Sequence, residues 1–469
     1  MKSFLLLAAS SLLLVATSVA AIGPDYHRPE VAPPVAWKQA AAGEALPRGE
    51  WWKAFHDSAL DELEVRALKA NQTLHAAAAR VEQARAAAGI ARSSYLPSVG
   101  LNPSLNRTRS SETTDNKFPV AESTTYRASL DASWELDLFG RVRRLNEGAR
   151  AEAAASAADF DNIRLALTAE VAATWFSLRA LDRESALVND GLGLRRKTLE
   201  LTNSRRAHGA ATDFDVARGE TELASTEAEA AALANRRAAL QNALAVLLGE
   251  AAPNVELSTL NAQLSTPPAV PAGIPSELLE RRPDIAAAES ALAAANARIG
   301  VAKAAFFPAI SLTGSFGYAS GDIDRLANAD SKLWSIGPSL YLPIFQGGRN
   351  RANLQRSRAA YEESVALFRQ RVLVAFREVQ DTLTATQLLG DQAAAQDRAV
   401  AAARRAGELA QTRYDAGYVN YFEVIDAQRT VLNAERAAAQ LSGQRLVNSI
   451  GLIKALGGGW EKPATLAAN

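Results

Sequence analysis

Asp213 and Asp215, two positions apart, come nearest to a carboxylate pair for acid–base chemistry in this 469-residue chain. They sit at the start of a helical run, where carboxylates cap free amides and offset the positive end of the helix dipole, and capping is the reading they support. Cysteine is absent, which removes thiol nucleophiles, disulfides and zinc–thiolate sites. The four histidines, His27, His56, His75 and His208, lie far apart and read as scattered surface or interface residues. No nucleophile-and-base set, phosphate loop or metal-ligand cluster is evident, so an enzyme is the least expected reading, with no cofactor and no metal. Lys+Arg and Asp+Glu both number 51, which leaves no global basic field for nucleic acid.

Charge is organised instead along one alternating stretch. Tyr126, Ala128, Leu130, Ala132, Trp134, Leu136 and Leu138 alternate with Arg127, Ser129, Asp131, Ser133, Glu135 and Asp137. That period of two predicts a strand with one apolar and one charged face. Upstream, Val99, Leu101 and Leu105 alternate with Asn102, Ser104 and Asn106; downstream, Ile310, Leu312, Phe316 and Tyr318, then Trp334, Ile336 and Leu340, do the same. A soluble sandwich also alternates. Yet a strand of about 13 residues suits a tilted bilayer crossing, and Arg127, Asp131, Glu135 and Asp137 suit a wet lumen better than a packed core. Four strands fall short of the ~8 of single-chain barrels. Two chains give about 8 and a filled lumen, three about 12 and an aqueous pore, which the polar face favours.

The strands belong to a duplication. RYDAGYVNYFEVIDAQR from Arg413 pairs with RRAHGAATDFDVARGET from Arg205 at a fixed offset (417 − 209 = 208), matching Gly417 to Gly209 and Phe422 to Phe214. Each half reads helix, strand hairpin, long helix, turn, long helix. Residues 1–21 read as an export signal, 22–56 as an extended strap, 57–252 as the first repeat with its hairpin at 98–139 and tip near Gly209. Residues 253–275 form a proline-rich connector, 276–457 the second repeat with its hairpin at 309–345 and tip near Gly417, and 458–469 a tail. The helix beginning near Ser58 is expected to continue to Pro97. The long runs Arg141 to His208 and Arg349 to Ala416 predict coiled-coil helices of ~100 Å at ~1.5 Å per residue, with Gly191, Gly193, Gly390 and Gly407 as points of bending or local breaks.

GPDYHRP from Gly23, WWKAFHDSALDEL from Trp51, ELDLFGRVRR from Glu135, SELLERRPDI from Ser276, FFPAISLTGSFGY from Phe306, LPIFQGGRNRANL from Leu342 and KALGGGW from Lys454 occur in that order. Through them the chain resembles the outer-membrane factors of tripartite efflux pumps, the TolC-like channels, and among these the NodT-type efflux lipoproteins. The resemblance implies a mixed α and β membrane protein: a homotrimeric 12-stranded β-barrel, four strands per chain, in outer-membrane lipid, continued by an α-helical coiled-coil barrel in the periplasm. It implies a periplasmic adaptor and an inner-membrane transporter of RND type as partners, and a passive export duct for drugs or other small molecules as the function. A structural or adhesive coiled-coil trimer without conduction is the alternative. The family closes its periplasmic mouth with a ring that matches Arg413, Tyr414, Phe422 and Asp426, while Gly209 and Gly417 mark the adaptor-docking tips. Arg218 stands at the first-repeat equivalent of Asp426, so the two halves differ in charge there. Family lipoproteins carry an acylated cysteine where this chain has Ala20.

Overall fold

A computed structural model describes residues 21–38, 49–111, 122–254, 266–271 and 275–460. The expected signal segment up to residue 20, Ala20 included, lies outside the described residues, as do parts of the strap, the connector and the tail. The chain divides into two compact units. One takes the chain start to Glu30, Arg80–Ala157 and Ala287–Arg369; the other takes Val31–Ala79, Ala158–Ala286 and the residues from Gln370 on. In order, the elements are α1 (Ser58–Ala70), α2 (Gln72–Ser93), β1 (Ser98–Arg109), β2 (Glu122–Leu136), α3 (Arg141–Ala207), α4 (Asp213–Leu247), α5 (Pro275–Arg281), α6 (Pro283–Ala304), β3 (Ala309–Ser320), β4 (Lys332–Tyr341), α7 (Arg349–Asp415) and α8 (Tyr421–Ala455). No described helix is long and apolar enough to cross a membrane.

In the first unit the strands form one antiparallel sheet in the order β1-β2-β3-β4. Cross-strand partners share a face, so the register assembles the apolar face row by row: Leu101 opposite Leu130, Leu130 opposite Phe316, Phe316 opposite Trp334. That face is open, with Leu101 65%, Trp334 72% and Ile336 70% exposed. A sheet of ordinary soluble proteins covers such a face; an uncovered one suits hydrocarbon. Gly317 stands opposite Ser129, where an added Cβ would lie 2.1 Å from the Ala128 carbonyl oxygen, so only glycine allows β2 and β3 to approach this closely. β1 and β4 each keep one unpaired edge among the described residues.

The long helices show the duplication as geometry. α3 and α7 each span 67 residues, and α4 and α8 each span 35. All four helices end in the same motif. Gly209 donates to Arg206 O and Ala210 to Arg205 O; Gly417 and Tyr418 do the same to Tyr414 and Arg413. The ends at Gly249 and Gly457 repeat it, all four glycines holding positive φ. At the latter two, a Cβ would also strike a carbonyl oxygen, Ala70 O at 2.2 Å and Arg281 O at 1.9 Å. Those carbonyls belong to breaks between short helices. The single helix expected from Ser58 onward is interrupted at Asn71, whose side chain accepts from Leu74 N at 3.0 Å and donates to Leu247 O at 2.9 Å. Arg282, at the break between α5 and α6, donates to Ala455 O at 2.9 Å. Each break therefore occupies an orphan carbonyl at the end of a returning helix.

Two further expectations change. The strap is not extended to residue 56: Trp51–Phe55 is a 3-10 turn whose Trp51, Trp52 and Phe55 are fully buried, with Phe55 5.1 Å from the Phe176 ring. Asp57 follows, capping α1 through Ala59 N and Leu60 N while accepting from Trp175 Nε1 and Arg179. Gly191, Gly193, Gly390 and Gly407 do not break α3 or α7. Gly191 and Gly407 instead let Leu432 and Val431 of α8 pack within 3.4 Å of a would-be Cβ.

Glu64 of α1 is buried with neither carboxylate oxygen hydrogen-bonded. Burial, reinforced by the nearby Asp61 charge, pushes its carboxyl up to about 9 from 4.5. The folded protein thus holds a proton that the unfolded chain releases. Stability is greatest below pH 4.5 as far as this group is concerned, and falls by as much as ~1.4 kcal/mol per pH unit as pH rises towards about 9. Glu64→Leu is expected to raise the midpoint of urea unfolding at pH 8 and to flatten its dependence between pH 6 and 8; a variant less stable than wild type at pH 8 would show that the carboxyl has a partner.

Candidate functional site

Two sets of residues are those expected to carry the function, one in each unit. On the polar face of the sheet, Arg127 donates through Nε to Ser129 Oγ at 3.3 Å and through Nη2 to Ser315 Oγ at 3.2 Å. Ser129 Oγ donates to Asp131 at 3.3 Å, and Asn102 Nδ2 does so at 2.5 Å. Arg127 and Asp131 are thus linked through Ser129, and Ser315 bonds both as well. The other two expected lumen residues are engaged with the start of α3. Glu135, at the end of β2, holds Arg141 by two bonds of 2.7 and 2.5 Å. Asp137 lies beyond the strand, and its carboxylate accepts from Val142 N at 3.0 Å and Arg143 N at 2.8 Å. It is the anionic cap of α3, because free amides at a helix start attract a carboxylate more strongly than a strand position retains one.

At the helical tips the four expected gate residues gather around the two turns but do not pair with one another. Arg413 reaches Glu423 at 3.6 Å, not Asp426. Tyr414 packs on Tyr421 with ring centroids 5.4 Å apart and lies under Arg205 at 5.1 Å. Phe422 stacks on Phe214, its own counterpart in the first repeat, at 6.1 Å and 27°. The Arg218 guanidinium lies over the Phe422 ring at 3.4 Å. Asp426 is exposed, and its side chain has no partner among the described residues. The two tips of one chain are therefore joined by an arginine on an aromatic pair, an arrangement built from equivalent phenylalanines and non-equivalent charges.

Asp213 and Asp215 are helix-start residues, as expected. Thr212 Oγ1 accepts from Asp215 N at 3.2 Å while Asp215 Oδ2 accepts from Thr212 N at 2.8 Å, a reciprocal capping box. The Thr212 hydroxyl and then its amide hold the Asp215 carboxyl below the usual range. Asp213 pairs with Arg206 at 2.5 Å. The second tip has Asn420 in Thr212's place and no side-chain cap bond. Sequence reasoning passed over Glu423 and Tyr418, and named Phe214 only as the repeat counterpart of Phe422. Arg413 and Glu423 meet only because the Gly417 turn folds them together, and Tyr418 is 81% exposed directly after that glycine.

Phe422→Ala removes the ring shared by Phe214 and Arg218, interactions worth roughly 1–2 kcal/mol together. Hydrogen exchange of the amides in 209–216 and 417–424 is expected to quicken about tenfold, while exchange near Trp51 stays unchanged; equal protection at the tips in both proteins would show that the stack does not hold them.

Residues 63–250 and 274–458, one stretch in each repeat, match the family described as outer membrane efflux protein. The outer membrane protein OprJ of Pseudomonas aeruginosa is 38% identical over 98% of this chain and 97% of its own length. The pyoverdine export outer membrane protein OpmQ of Pseudomonas putida is 36% identical over 92% of this chain and 93% of its own. Among solved structures, the CmeC outer membrane channel of Campylobacter jejuni superposes with a TM-score of 0.88 at 26% identity, covering 95% of this chain and 96% of that one. With both repeats matched and the fold shared along nearly its whole length, the chain belongs to the outer membrane efflux protein family.

Proposed function

We propose that the protein is the outer-membrane duct of a tripartite efflux pump, a passive conduit for small molecules that performs no chemistry on its cargo. Three copies, β4 of one pairing with β1 of the next, close a barrel of about 12 strands. The observation that carries this reading is the four-stranded sheet with two unpaired edges, one face apolar and uncovered and the other lined by Ser, Asn, Arg127 and Asp131. Its partners are a periplasmic adaptor that docks on the tips at Gly209 and Gly417 and an inner-membrane transporter of RND type that supplies the energy. Detergent-purified protein tests it directly: trimeric mass and ion current in planar bilayers are expected, and a monomer without current would sink the reading.

The mouth is closed by the tip residues of the second repeat. Arg413 is braced by Glu423 within its own hairpin, and the exposed Asp426 is the group left to meet a neighbouring copy. Three such carboxylates form an acidic ring that only the second repeat supplies, since the first has Arg218 at that position. Asp426→Ala or Arg413→Ala is expected to raise single-channel conductance about twofold, because loss of one exposed charge contact, roughly 0.5–1 kcal/mol, shifts a closed state appreciably. Unchanged conductance in both variants would remove these residues from the gate.

Docking is expected to depend on the turn itself. A Cβ at Gly417 meets nothing within 4 Å, so a side chain there projects from the tip. Gly417→Trp is expected to abolish adaptor binding with trimer assembly intact, whereas Gly417→Asn, which tolerates the left-handed backbone, retains it. Binding by the tryptophan variant at wild-type strength would place the adaptor elsewhere.

A further inference from the structure

The register fixes which side chains share the polar face of the sheet. Within β1 to β4 only three of them are charged, Arg127, Asp131 and Glu135; the rest are small or neutral. Glu135 is committed to Arg141 by its two-bond ion pair. One cation and one anion per chain remain.

They do not stand apart as their positions suggest. Four residues along β2 separate their Cα atoms by ~13 Å at ~3.3 Å per residue. Asp131 is directly opposite Ser315, and Arg127 is opposite Ala319. Yet the Arg127 guanidinium donates to Ser315 Oγ, so it has leaned along the strand into the row that Asp131 occupies. The row it crosses holds Ser129 and Gly317. Gly317 offers no side chain to block the path, and Ser129 bonds both groups, accepting from Arg127 and donating to Asp131. The guanidinium and carboxylate are therefore gathered into one electrically neutral unit.

We propose that Arg127 sets the ion selectivity of the strand channel by cancelling Asp131, so that the barrel admits cations and anions alike. This rests on the duct reading above. Three neutral units line the closed barrel, and cargo of either charge meets no field there; discrimination is left to other parts of the pump. Without Arg127 the same belt carries three uncompensated carboxylates in a confined, low-dielectric wall, where like charges concentrate counter-ions.

The test is the cation-to-anion permeability ratio, read from reversal potentials under a potassium chloride gradient across planar bilayers. Wild type, Arg127→Ala, Arg127→Lys, Asp131→Asn and the Arg127→Ala/Asp131→Asn double variant are compared, each first shown to be trimeric. The set is repeated in an Asp426→Ala background so that tip carboxylates do not mask the barrel. In ~0.1 M salt, where the screening length is about 10 Å, Arg127→Ala is expected to raise the ratio at least about twofold and Asp131→Asn to lower it. Arg127→Lys and the double variant are expected to stay near wild type, and the Arg127→Ala effect to fade in ~1 M salt, where screening acts over about 3 Å. Conducting variants with the wild-type ratio in both backgrounds would overturn the proposal and leave the duct reading standing. Absence of current from every protein would overturn both.

Discussion

Each long helical hairpin is tied at its base by one side chain reaching out of a break in a shorter helix. Asn71 takes the carbonyl of Leu247 and Arg282 takes that of Ala455, and in both cases a glycine just past the helix end lets the two backbones touch. The direction of each 35-residue returning helix depends on this contact, because without it the last carbonyl of the helix, which the glycine turn does not satisfy, has no partner. The two halves meet the demand with different chemistry. Asn71 is neutral and sufficient alone, whereas the buried Arg282 needs Asp284 through two bonds and Glu378 through a third to offset its lost hydration. Duplication supplied one backbone solution, and the side chains that satisfy it then diverged.

Much of this architecture was legible in the residues themselves. The long runs Arg141 to His208 and Arg349 to Ala416 end within one residue of α3 and α7, and strict alternation places the strands, because both signals are repeated many times over. What stayed hidden rests on single residues. Nothing periodic marks Asn71 as a break, since its role is defined by a carbonyl on a helix almost two hundred positions away. Alternation also runs on through Asp137, although the chain has already turned there to cap a helix. The tip contacts were half visible: equivalent phenylalanines followed from the offset, but the stacking of Phe214 on Phe422 and the capture of Arg413 by Glu423 are tertiary facts.

The tips show what divergence after duplication achieves. Phe214 and Phe422 keep the symmetry by stacking on one another, and Arg218 breaks it by covering Phe422 while Asp426 remains uncovered. A symmetric pair of hairpins would present the same charge twice. Here one hairpin's charge is spent inside the chain on an aromatic ring, and the other's is left facing outward. At equivalent positions of the two repeats, residue type decides whether a charge is structural or available.

The two unpaired strands at the ends of the sheet have a consequence for the life of the chain before it reaches its place. A bare strand edge invites any passing strand, and natural sheets normally blunt it with lysine, proline or a covering loop. Here each edge strand carries a proline, Pro103 in β1 and Pro338 in β4, but most of each edge remains free to pair with a neighbouring copy. A newly exported chain therefore carries two adhesive margins and an oily face through an aqueous compartment, and the hazard lasts until its sisters arrive. Because that meeting is a many-body event, its waiting time lengthens steeply as synthesis slows. The slower the chains are made, the longer each margin stays bare.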